Sequence, residues 1–189
     1  MKNLLLSTMK LAVQYTEKGE LLLAELTLDN VVSVGERFLA EVTSQNRLTL
    51  RQAALLACSC YDAIAGQYIR LGIFASNNGD TLGELFFYQN AGRCVDKAQD
   101  IFARCQPPQT DIEHNVFINL SLDLGFIAVT KGQAADAKIF FKHCVEGRAT
   151  HPSTESAQSV ARNCLESLLV LEVNDAKEQV LRTIKDFFQ

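Results

Sequence analysis

An all-α fold is predicted by three features: few chain-breaking residues, helical spacing of apolar positions, and repeated helix-capping signatures. The 189 residues include only 3 Pro and 10 Gly, too few for the frequent turns of an all-β fold. At 48% hydrophobic and 21% charged, the chain can bury a core without staples. Residues 1–189 are expected to form one all-α domain.

Along the chain, residues 4–17 place Leu5, Met9, Ala12 and Thr16 on one face, and Lys18-Gly19 marks a stop. A second helix is expected from Glu20 to Thr43, with Leu22, Leu23, Leu26, Phe38, Leu39 and Val42 as its apolar positions. The stretch SQNR, 44–47, reads as a loop. Thr49 with Gln52 forms a capping-box pattern, so a helix is expected from Leu50 to about Ala75. SNNGD, 76–80, is a turn. Thr81 and Glu84 repeat the capping pattern and open a helix to Cys105, which Pro107-Pro108 stops.

Thr110 and Glu113 form a third capping pattern, with a helix to Lys131 and Gly132 at its end. Within it Val116, Phe117, Leu120, Leu122, Leu124, Phe126, Ile127 and Val129 are apolar nearly all round, which predicts a central helix. Another helix covers Gln133 to Glu146 and ends at Gly147. His151-Pro152-Ser153 is a break, followed by a helix from Thr154 to Glu172. Asn174-Asp175 then separates a last amphipathic helix ending at Phe188. This gives about eight helices, and their short connections make neighbours antiparallel. Stacked hairpins and an irregular bundle both satisfy this pattern.

A self-similarity favours hairpins. Leu124-Gly125, Ala128, Gly132, Ala137, Phe141 and Cys144 share their offsets with Leu11-Ala12, Tyr15, Gly19, Ala24, Leu28 and Val31. Leu71-Gly72, Ala75, Gly79, Tyr88 and Ala91 follow the same offsets and depart at Glu84. The small residue lets two helices approach closely, and the Gly ends the first of them. One such hairpin cannot bury both its faces, so hairpins stack. The pattern resembles the tetratricopeptide repeat, a helix–turn–helix unit of about 34 residues. The resemblance covers hairpins near 5–38, 65–98 and 118–151, with 153–189 as a C-terminal capping hairpin.

That resemblance implies a protein-binding adaptor, chaperone-like scaffold or regulatory subunit, and no cofactor is expected. The first helix of each hairpin would line a groove, which puts Asn119, Leu122, Phe126 and Val129 on it. These are mostly apolar, so the groove suits an amphipathic helix or an extended apolar segment better than a terminal carboxylate. Phe86-Phe87-Tyr88 spread about 200° around a helix, so one face must meet a neighbouring helix, a peptide or a second subunit. A homodimer joined through its apolar faces, or a helical sensor or enzyme with an internal pocket, are the rival readings.

Chemistry is sparse. His114, His143 and His151 lack the Glu-x-x-His pairing of a di-metal bundle. Cys58 and Cys60 sit two apart and point to different sides of a helix, so a shared ion is not expected. The other cysteines, Cys94, Cys105, Cys144 and Cys164, read as small hydrophobes in a reducing compartment. No phosphate loop, nucleophile elbow or zinc-protease motif occurs, and the chain reads as non-catalytic. The net charge of -4 with scattered cations argues against nucleic acid and an acidic membrane surface. Lys10 interrupts the short N-terminal apolar run, so a signal peptide is not expected and the reading is cytoplasmic.

Overall fold

The computed structural model describes residues 11, 14–15, 18–20, 22–24, 26–27, 29–30, 44–103, 108–170 and 173–188. All regular structure among them is helical. Six helices have defined bounds: α1 Ser44–Asn77, α2 Thr81–Ala103, α3 Asp111–Thr130, α4 Ala134–Glu146, α5 Pro152–Val170 and α6 Val173–Phe188. Shorter helical runs occur among residues 11–30. The expectations for residues 1–10, for Phe38, Leu39 and Val42, and for Cys105 and Pro107 lie outside the described residues.

Glycine sets the hairpins. Gly19, Gly79 and Gly132 have φ of 76°, 73° and 75°, a region that costs a side chain about 1–2 kcal/mol. Each turn then closes in the same way. Glu20 N–H donates to Tyr15 O at 2.9 Å, Asp80 N–H to Ala75 O at 2.9 Å, and Gln133 N–H to Ala128 O at 2.8 Å. Gly79 N–H bonds Ser76 O and Gly132 N–H bonds Val129 O. The last two turns are complete Schellman motifs, which satisfy carbonyls that a helix end leaves unpaired.

Beyond each turn the next helix folds back tightly. A Cβ at Gly72 would stand 2.4 Å from Tyr88 Cε1, and one at Gly125 would stand 2.4 Å from Phe141 Cε1. In both hairpins the absence of a side chain makes room for the aromatic ring. Ala24 and Ala137, which share an offset in the sequence pattern, are both fully buried.

Helix α3 is the centre, as its apolar circumference predicts. Positions 120–129 are all buried, and every other bounded helix packs against it. α1 also meets α6, where Lys185 Nζ donates to Ser76 Oγ at 3.1 Å. α3 is long and apolar enough to cross a bilayer by composition, but most of it is enclosed by the fold.

Polar contacts fix the ends of these helices. The Thr110–Glu113 capping box is present: Glu113 N–H donates to Thr110 Oγ1, and Thr110 N–H donates to Glu113 Oε2. Arg51 of α1 also grips Glu113 through two bonds of 2.7 and 2.9 Å. Asn115 Oδ1 accepts from Thr150 and Thr154, which holds the α4–α5 connection against α3. Gln158 Nε2 donates to the carbonyls of Cys144, Val145 and Gly147 and so caps α4. Asp29 accepts from Tyr61 OH and from Lys97 Nζ, tying the N-terminal helical residues to α1 and α2.

Several sequence expectations are corrected. SQNR is not a loop, because α1 begins at Ser44; none of its residues is a strong helix breaker. Thr49 therefore lies inside α1 and cannot act as its cap. Asp80 rather than Thr81 caps α2, with Gly83 N–H donating to Asp80 Oδ1 at 2.9 Å. α5 starts at Pro152, a residue preorganised for the first helical position. Asn174 and Asp175 sit in the first turn of α6 rather than before it. Cys58, Cys60, Cys94, Cys144 and Cys164 are all buried, and burial pushes the Cys144 and Cys164 thiols up to about 12.

Candidate functional site

The residues predicted to bind a partner fall into three places. Phe126 and Val129 are in the core. Phe126 is 0% exposed and meets Tyr88 edge-to-face at a centroid distance of 5.3 Å. Tyr88 is buried over Gly72, and burial with the nearby Glu84 carboxylate pushes its phenol up. Among the described residues, Phe126 and Val129 are therefore covered by the other helices and line no open groove. Tyr88 likewise belongs to the α1–α2 seam.

Phe86 lies elsewhere. It is 59% exposed, and Leu82 and Leu85 on the same helix are 81% and 55% exposed. Their spacing puts all three on one face of the first two turns of α2. Phe87 is half-buried and meets Phe86 edge-to-face at 5.5 Å. Asp80 and Glu84 flank this apolar face with negative charge.

Asn119 and Leu122 border a third place, a pocket of 340 Å³ formed by α1, α3, α5 and α6. Its chemistry comes from residues that the sequence did not single out: Asp62, Gln67 and Arg70 on α1, and Asp123 on α3. Asp123 is 7% exposed. It has no hydrogen bond or ion pair among the described residues. Asp62 Oδ1 is buried with no hydrogen-bond partner in the described structure.

A buried carboxylate with a second, half-buried one nearby resists ionisation. Burial pushes Asp62 up to about 7. Burial and the neighbouring Asp62 push Asp123 well above its usual range, and Arg70 opposes this only in part. Two interacting carboxyls of this kind lose their protons as a pair rather than independently. No cluster of three or more His, Cys, Asp or Glu suited to a metal occurs among the described residues.

Comparison of the chain with protein-family models, curated proteins and solved structures gives no match. The functional reading therefore rests on this chain's own geometry.

Proposed function

We propose that the chain is a non-catalytic protein-interaction module that holds an amphipathic helix of a partner protein against the exposed apolar face of α2. The observation that carries this reading is the exposure of Leu82, Leu85 and Phe86 at helical spacing. A row of large apolar side chains in water is costly, and a second helix laid along it removes that cost. The acidic flank of Asp80 and Glu84 suits a partner helix edged with Lys or Arg.

The shared turns at Gly19, Gly79 and Gly132 support the tetratricopeptide-like part of this reading. The buried thiols of Cys60 and Cys164 suit a reducing compartment. A homodimer joined through the same face is the rival.

Photo-crosslinking separates these outcomes. A crosslinker in place of Leu82 or Leu85 should capture one protein through an amphipathic helical segment mapped by mass spectrometry. Phe86→Asp should abolish that capture, and a crosslinker at exposed Gln99 should not reproduce it. Capture of a second copy of this chain would establish the homodimer instead. Capture unaffected by Phe86→Asp would overturn the docking face.

A further inference from the structure

We propose that the α1–α3–α5–α6 pocket binds a small organic cation, a primary amine or a guanidinium compound, between Asp62 and Asp123. The pocket's 340 Å³ lies at the small end of ligand cavities. Ala63, Arg70, Ser153 and Phe187 line it and are exposed, so a solute can enter from water.

The pocket lining has unmet hydrogen-bonding capacity. A carboxylate buried without partners is among the costliest groups a fold can retain. Asp123 is one such group, and half-buried Asp62 on a different helix borders the same space. Asp123 is 7% exposed, lines the pocket and has no hydrogen bond among the described residues, and Asp62 has one buried oxygen with no donor. An ammonium carries three N–H donors and a guanidinium five, which is the complement these oxygens lack.

The chain's own cation does not fill the role. Arg70 acts on Asp123 electrostatically, but it is exposed and forms no ion pair with it. Gln67 and Asn119 add neutral hydrogen-bonding groups, and Leu122 with Phe187 offers an apolar wall for a short carbon chain. A hard divalent cation would find only two carboxylates and would need more oxygen ligands.

The test is a titration of the full chain with n-butylamine, putrescine and agmatine, followed by amide NMR and calorimetry. At least one amine should bind at millimolar or lower concentration and shift the side-chain amides of Gln67 and Asn119. Asp123→Asn should weaken it about tenfold or more, and Asp62→Asn provides the same test if the first variant does not fold. Failure of all three amines to bind would overturn the proposal, as would binding unchanged in both variants. Glutarate binding through Arg70 in place of the amines, or calcium or magnesium binding at the same groups in preference to them, would also overturn it.

Discussion

Gly125 and Phe141 face each other across the α3–α4 hairpin, where a Cβ would stand 2.4 Å from the ring. Phe141 is fully buried, so its ring cannot swing away without opening the core. Gly125→Leu should cost on the order of 1–3 kcal/mol or more through overpacking, seen as a lower Tm by circular dichroism. Gly132→Ala meets no steric obstacle within 4 Å but must hold a positive φ, at a cost of about 1–2 kcal/mol. An unchanged Tm in Gly125→Leu would show that the helices are not in register at that point.

The hairpins were legible in the sequence because their causes are local. A Schellman turn spans six residues, and its Gly stands in the chain where the structure needs it. The Thr110–Glu113 box is similarly short-range. Asp80 and Thr81 are adjacent and both able to cap, so spacing alone placed the start of α2 one residue late. The carboxylate pair was missed because Asp62 and Asp123 meet only through the packing of α1 on α3. One signal was present: Asp123 lies between Leu122 and Leu124 on a helix whose apolar circumference predicted burial. A charged residue at such a position calls for a partner or a raised pKa.

Glu113 joins two jobs in one side chain, completing the α3 cap and pairing with Arg51 of α1. Its carboxyl is held down at about 2, first by the Arg51 hydrogen bonds and then by backbone N–H groups, against the opposing effect of burial. Glu113→Gln keeps the shape but loses charge-assisted bonding, for an expected loss of about 1.5–3 kcal/mol in urea unfolding. Arg51→Met should lose a comparable amount, and the double variant should lose less than the sum because the two share one interaction. Strict additivity would mean that the pair does not couple α1 to α3.

Stability should depend on pH in two opposed ways. Asp62 is raised from 3.8 to about 7, and Asp123 moves in the same direction. The folded state then binds more protons than the unfolded state over this interval, so stability falls as pH rises from about 4 to 7. Glu113, lowered from 4.5 to about 2, contributes stability above its unfolded value that disappears as pH falls from about 4.5 toward 2. Melting curves should therefore peak near pH 4–5. Asp62→Asn combined with Asp123→Asn should flatten the decline on the alkaline side and leave the acidic side unchanged. A decline of the same slope in that double variant would assign it to other groups.

Phe126 and Phe86 were both expected to touch a partner, and the fold gives them opposite roles. Phe126 is enclosed beside Tyr88 in the core, so Phe126→Ala leaves a cavity and should cost about 3–5 kcal/mol. Phe86 is largely in solvent, so Phe86→Ala should change stability by less than about 0.5 kcal/mol. Denaturant unfolding of the two variants measures both. A small loss for Phe126→Ala would mean that α2 does not close over α3 in solution, and the covered groove would then be open after all. A large loss for Phe86→Ala would mean that the apolar face of α2 is already occupied within the chain or by a second copy, which a concentration-dependent Tm would distinguish.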